Sequence, residues 1–99
     1  MSSDIKTFYM VNLYDYYGEL LTDKQKEYFK DYYFNNLSLS EISENRNVSR
    51  TAVHNVIKEA ERKIRGFEKV WKNYEKSQKI KRLIENIDEN TRKKIEELL

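Results

Sequence analysis

Cysteine and proline are absent from this 99-residue sequence, and glycine occurs only at Gly18 and Gly66. Without thiols there are no disulfides and no thiolate metal sites. Without proline, and with so little glycine, the tight corners of a strand-and-turn protein are hard to build, whereas helices need neither residue. Nothing approaches the run of ~18–20 apolar residues that a membrane-spanning helix requires. Met1-Ser2-Ser3-Asp4 does not lead from a basic segment into an apolar stretch, so no secretory signal is expected and the cytoplasm is the expected location. The single histidine, His54, has no carboxylate cluster around it at ligand spacing, and no glycine loop precedes a helix to cradle a nucleotide. Neither an enzyme nor a metal or other cofactor is expected.

What the chain has in abundance is charge and aromatic surface. Charged residues are 36% of the total for a net charge of only +2, but the balance shifts along the chain. Residues 1–49 hold five Lys/Arg and eight Asp/Glu, while residues 50–99 hold fourteen and nine. Between Arg62 and Arg82 there are nine basic side chains against Glu68 and Glu75 alone, which points to a polyanionic partner. Eight tyrosines, four phenylalanines and one tryptophan can give a small core much of its buried area. The length suits one domain over residues 1–99.

Helical periodicity runs through the chain. Ile5, Phe8, Tyr9, Leu13, Tyr16 and Leu20 predict a first helix over about Asp4–Tyr17, with Gly18 as its left-handed closing residue. Thr22-Asp23-Lys24-Gln25 has capping-box spacing and opens a second helix, with Tyr28, Phe29, Tyr32 and Tyr33 as its apolar face and Asn35-Asn36 at its end. Ser38-Leu39-Ser40-Glu41 is another capping box, stapled by Leu37 and Ile42, and its helix ends near Arg46. Asn47 then stands at a corner needing positive φ, which Asn tolerates best after Gly. Ser49 caps a fourth helix, and Val48 and Val53 staple it. Val53, Ile57, Ala60, Ile64, Phe67, Trp71 and Tyr74 form an apolar seam that predicts one long helix from Arg50 to about Ser77. A C-terminal extension follows, with Leu83, Ile84 and Ile87 as one apolar patch, Asp88 as a cap, and Thr91, Ile95, Leu98 and Leu99 as a last face.

The fold expected is therefore all-α: a helix-turn-helix at about residues 38–60, a long amphipathic fourth helix, and a C-terminal helical extension within 61–99. On the outer face of the second helix of that motif lie Ser49, Arg50, Thr51, His54, Asn55 and Lys58. Arg reads guanine, Asn reads adenine, and Lys and hydroxyl side chains hold phosphates; the first-turn N–H groups at Ser49 add an anion site. A second basic row comprises Arg62, Arg65, Lys69, Lys72, Lys76 and Lys79. Glu59–Lys63, Glu61–Arg65, Glu68–Lys72 and Glu75–Lys79 at i,i+4 explain that row equally well as a solvated, ion-paired face. Phosphate contact by such a row does not distinguish DNA from RNA.

Asn12-Leu13-Tyr14-Asp15-Tyr16-Tyr17-Gly18-Glu19-Leu20-Leu21-Thr22-Asp23-Lys24-Gln25, Asp31-Tyr32-Tyr33, Leu37-Ser38-Leu39-Ser40-Glu41-Ile42 and Val48-Ser49-Arg50-Thr51-Ala52-Val53-His54-Asn55-Val56-Ile57-Lys58 together resemble the YlxM family of bacterial helix-turn-helix proteins. The likeness covers most of residues 5–76. Leu37–Lys58 alone also resembles region 4 of bacterial sigma factors. Ser43 stands where the family usually has Ala, and His54-Asn55 where it has Tyr-Asp. The resemblance implies a sigma-region-4-like, winged-helix-like fold and a regulatory role in the signal recognition particle targeting pathway, with components of that particle as partners.

Two readings follow. One is a regulatory protein that binds DNA or RNA through the helix-turn-helix. The alternative is a protein–protein accessory factor of the targeting machinery, in which the helix-turn-helix is architectural. The aromatic seam needs a partner surface, and a symmetric homodimer is one way to supply it.

Overall fold

The computed structural model describes residues 2–86 and 89–98, and everything below refers to these. Six helices follow one another: α1 (Ser2–Tyr17), α2 (Asp23–Tyr33), α3 (Leu39–Arg46), α4 (Arg50–Trp71), α5 (Asn73–Leu83) and α6 (Glu89–Leu98). Short 3-10 turns occupy Gly18–Leu20 and Ile84–Asn86. No strand, and hence no wing, occurs among the described residues. α4 is the spine: α1, α2 and α3 all pack against it, and α5 folds back onto α1. The core is Met10, Leu13, Tyr17, Leu21, Tyr28, Phe29, Tyr33, Ile42, Val53, Ile57, Ala60 and Ile64.

The starts of α2, α3 and α4 are as the sequence predicts. Thr22 and Gln25 form a reciprocal capping box, as do Ser38 and Glu41. Ser49 Oγ accepts from the Ala52 N–H at 3.0 Å. The apolar face of α2 is also as expected, except that Tyr32 is 37% exposed.

Three expectations are corrected. The first concerns α1, where of the predicted stripe only Leu13 is buried. Ile5, Phe8, Tyr9, Tyr16 and Leu20 are 37–71% exposed, and Met10, Leu13 and Tyr17 form the buried row instead. α1 carries apolar side chains on two faces, so periodicity alone finds two stripes. The second concerns Gly18, which does not take the left-handed conformation; no glycine has positive φ. It opens the 3-10 turn, and a Cβ there would lie 2.7 Å from the Tyr14 ring.

The third concerns the long helix. It ends at Trp71, where Lys72 turns left-handed (φ 55°, ψ 30°), and α5 starts afresh at Asn73. The backbone N–H groups of Tyr74 and Glu75 donate to the Glu68 carboxylate at 3.1 and 3.0 Å, and that of Asn73 donates to Tyr17 Oη at 3.1 Å. These N–H groups would have continued the α4 ladder; bonded to a buried carboxylate and phenol, they start a new helix. Val53, Ile57, Ala60 and Ile64 of the predicted seam are buried, Phe67 is half-buried, and Trp71 is 46% exposed, stacked on Phe67. Tyr74 falls beyond the break and packs edge-on against Tyr9 and Tyr16.

In the C-terminal extension Ile84 is buried while Leu83 and Leu98 are 74% and 87% exposed. The expectations for Ile87, Asp88 and Leu99 lie outside the described residues.

Candidate nucleic-acid interface

The geometry of the helix-turn-helix rests on Asn47. Its backbone sits at φ 55°, ψ 48°, in the left-handed region that Asn enters at low cost. The next N–H, that of Val48, closes back on the Ser43 carbonyl at 3.0 Å, a Schellman-type stop that ends α3 and sends the chain across it. Ile42 and Val53 are both fully buried in the corner. Arg46 fixes α3 to α2: its Nε donates to Asp31 at 2.7 Å, its Nη1 to Glu27 at 3.1 Å, and its guanidinium lies 5.0 Å from the Tyr28 ring centre. The half-buried Asp31 pair is the stronger tie, because its partners are shielded from water. Glu27 is largely solvated and contributes little.

This frame exposes the first half of α4. Ser49, Arg50, Thr51, His54, Asn55 and Lys58 are all exposed. Arg50, Thr51 and His54 line one shallow hollow, with Leu39 of α3 as its other wall. Asn55 is not part of it; it lines a separate hollow with Thr22, Lys24 and Gln25 at the start of α2. Lys58 reaches Glu61 at 3.5 Å. Ser49 caps its own helix, and its carbonyl accepts from the Val53 N–H at 3.1 Å. The Ala52 and Val53 N–H groups are thus occupied, and the anion site expected at Ser49 narrows to the first-turn N–H groups of Arg50 and Thr51.

Arg62, Arg65, Lys69, Lys72, Lys76 and Lys79 are exposed too, but the break at Lys72 divides them between α4, the corner and α5. Of the i,i+4 pairs expected among them, Glu75–Lys79 forms, at 3.1 Å, and holds the Glu75 carboxyl below its ordinary value. Glu59 pairs with Arg62 instead of Lys63, and Lys63 donates to Gln25 of α2 at 3.2 Å.

Glu61 and Glu68 are the residues that sequence reasoning missed. Both were expected on the solvated face, yet they are 2% and 8% exposed. Glu61 accepts from the Tyr33 hydroxyl and has Lys6 and Lys58 Nζ at 3.4 and 3.5 Å. Burial alone would raise its carboxyl; the Tyr33 bond and the two ammonium groups outweigh that and hold it below the ordinary value of 4.5. Glu68 accepts from the Tyr17 hydroxyl at 2.5 Å as well as from the start of α5. A signal did exist: each glutamate directly follows a seam residue, Ala60 or Phe67, and a buried tyrosine hydroxyl requires a partner. Nearby Lys and Arg at i+4 masked it.

Among the described residues no group of three or more His, Asp or Glu side chains is placed to hold a metal ion, and no helix is long and apolar enough to cross a membrane.

A capped short helix, a left-handed corner and a crossing helix with a polar outer face define a helix-turn-helix protein. The family model of the UPF0122 proteins, YlxM/p13-like helix-turn-helix proteins, matches residues 5–99, and the chain belongs to that family. It is a helix-turn-helix family. Among its relatives, the UPF0122 protein of Malacoplasma penetrans is 59% identical over 56 residues, which are 57% of this chain and 52% of that one. The UPF0122 protein of Caldanaerobacter subterraneus is 44% identical over 81 residues, covering 82% of this chain and 69% of the relative. That of Fusobacterium nucleatum is 36% identical over 91 residues, covering 91% and 88%.

Proposed function

We propose that this protein is a nucleic-acid-binding regulator that sets the first half of α4 against duplex DNA, and that it has no catalytic role. The observation that carries the reading is the hollow formed by Arg50, Thr51 and His54 on the outer side of a helix that Asn47 turns across α3. Arg50 forms no ion pair among the described residues, so its guanidinium is available to a base edge or a phosphate. Ser49, Thr51 and Lys58 suit phosphates, and Asn55, at the far edge, suits an adenine. Arg62, next along the exposed side of α4, adds a sequence-independent attraction.

The test is fluorescence anisotropy of a labelled random-sequence duplex titrated with protein across a salt series. Affinity is expected to fall steeply with salt, and Arg50→Ala to weaken binding and flatten the log–log slope by about one. Absence of binding at about 50 mM salt, or binding that Arg50→Ala leaves untouched, would overturn the reading.

A second reading has its own observation in the exposed outer face of α1, where Ile5 and Phe8 are 71% and 67% exposed. Such surface suits a protein contact, either with components of the signal recognition particle, as the family resemblance suggests, or with a second copy of the chain. Co-purification with the particle, together with no affinity for free duplex, would favour it.

A further inference from the structure

We infer that the cleft between α4 and α5 binds a single-stranded nucleic acid, at a site separate from the duplex-facing surface at Arg50. The break at Lys72 creates the cleft, because the chain leaves one helix and begins another at an angle to it. The cleft measures about 470 Å³, within the range of small-ligand clefts (about 300–1,000 Å³). Arg65 and Lys69 line it from α4, Lys72 from the corner, and Gln78 and Arg82 from α5. Tyr9 closes it from α1.

Charge determines what such a cleft attracts. None of the four cations forms an ion pair among the described residues. Two carboxylates line it as well: Glu68 is hydrogen-bonded to Tyr17 and the start of α5, and Glu75 pairs with Lys79 and also lies in the field of Lys72 and Arg82. Four cations against two carboxylates leave the concavity net positive, which favours an anion.

Shape and aromatic content then select among anions. Two helices meeting at an angle form walls that a bending strand can enter, whereas a duplex is stiff over this length and offers its phosphates on a convex surface. The Tyr9 ring is 37% exposed and is held edge-on to Tyr74, their centres 6.0 Å apart. It offers a fixed face on which an unpaired base can stack, the arrangement that sequence-tolerant single-strand binders combine with a basic groove. The cleft also continues the duplex-facing surface: Thr51, His54, Lys58, Arg65 and Lys69 step by 3, 4, 7 and 4 along α4 and so share one face. A strand leaving the helix-turn-helix is led directly to it.

The test titrates the full chain into fluorescein-labelled oligo(rU), oligo(dT) and a random duplex of equal length at about 50 mM salt. Lys69→Ala/Arg82→Ala is expected to weaken single-strand binding about tenfold and duplex binding at most about twofold, with Arg50→Ala giving the reverse pattern. Tyr9→Leu is expected to weaken single-strand binding about fivefold without changing its salt slope, since stacking carries no charge. Comparing oligo(rU) with oligo(dT) separates RNA from DNA as the source of the strand. Lys69 and Arg82 are solvent-facing, so their replacement leaves the core intact, and circular dichroism checks that it does. No single-strand binding, or binding that Lys69→Ala/Arg82→Ala leaves unchanged, would overturn the inference. Loss of both ligands with Arg50→Ala alone would overturn it as well, because the two sites would then be one. A failure of duplex binding alone bears on the helix-turn-helix and leaves the cleft standing.

Discussion

The Tyr17 hydroxyl donates to Glu68 Oε1 at 2.5 Å, joining the end of α1 to α4 across 51 positions of sequence. The same carboxylate accepts the Tyr74 and Glu75 N–H groups, and the same phenol oxygen accepts that of Asn73. One buried pair therefore supplies the cap that α5 lacks in its own sequence, since the residue in the capping position is Lys72, whose side chain accepts nothing. Removing the carboxylate should release α5 before it unfolds anything else. Glu68→Ala leaves the Tyr17 hydroxyl and two N–H groups without their acceptor, at an expected cost of about 1–3 kcal/mol. Glu68→Gln keeps one acceptor oxygen and should cost less. Urea denaturation measures the ordering, and hydrogen exchange should show the amides of Tyr74 and Glu75 opening first. Protection at those amides unchanged in Glu68→Ala would show that α5 has another anchor.

The buried phenol–carboxylate pairs also predict how stability depends on pH. Burial, then the hydrogen bond to Glu68, pushes the Tyr17 phenol up from 10.0 to about 12. Burial and the bond to Glu61 raise Tyr33 in the same direction. A folded pKa above the unfolded value gives stability that is complete below pH 10.0 and lost as pH rises through the folded value. Glu61 works the other way: its folded pKa lies below 4.5, so its contribution is present above pH 4.5 and lost as pH falls through the folded value. Urea midpoints should therefore be level near neutrality and fall at both extremes. Tyr17→Phe should reduce the alkaline fall, with phenolate absorbance at high pH showing one fewer late-titrating ring. An alkaline limb identical in Tyr17→Phe and the parent protein would contradict the assignment.

Asn47 makes the corner itself testable. At φ 55° a Cβ meets the backbone, a strain that Asn relieves better than most residues and Gly does not feel. Asn47→Ala should destabilise by about 1 kcal/mol, while Asn47→Gly should be close to neutral. Thermal or urea unfolding of the two variants checks the order. Equal losses would mean that the Asn side chain, rather than its backbone tolerance, holds the turn.

Local chemistry was the legible part of this fold. The capping boxes at Thr22 and Ser38, the cap at Ser49 and the left-handed Asn47 are each decided by a few adjacent residues, and each lies where the sequence places it. The choice between the two apolar faces of α1 depends on what α4 and α5 present to it, which no window of neighbouring residues contains. The break at Lys72 was hidden for the same reason. The heptad steps from Val53 to Tyr74 continue through it unbroken, and the cause is a carboxylate whose principal partner, Tyr17, is 51 residues away. Exposure of the six side chains from Ser49 to Lys58 was readable from helical phase, but their division into two hollows depends on Leu39 and on the start of α2.

The two glycines should respond oppositely to the same change. Gly66 lies inside α4 with nothing within 4 Å of where a Cβ would stand. Gly66→Ala should therefore stabilise by about 0.5–1 kcal/mol, the helix-propensity difference between the two residues. At Gly18 a Cβ would lie 2.7–2.8 Å from three atoms of the Tyr14 ring. That ring cannot swing aside freely, because it stacks on Phe29 at 4.9 Å and meets Phe34 edge-on at 5.4 Å. Gly18→Ala should destabilise by about 1–3 kcal/mol through overpacking. A double-mutant cycle isolates the cause: in a Tyr14→Leu background most of the Gly18→Ala penalty should vanish, because the clashing ring is gone. A penalty of the same size in both backgrounds would place the constraint in the backbone of the Gly18–Leu20 turn rather than in its contact with Tyr14.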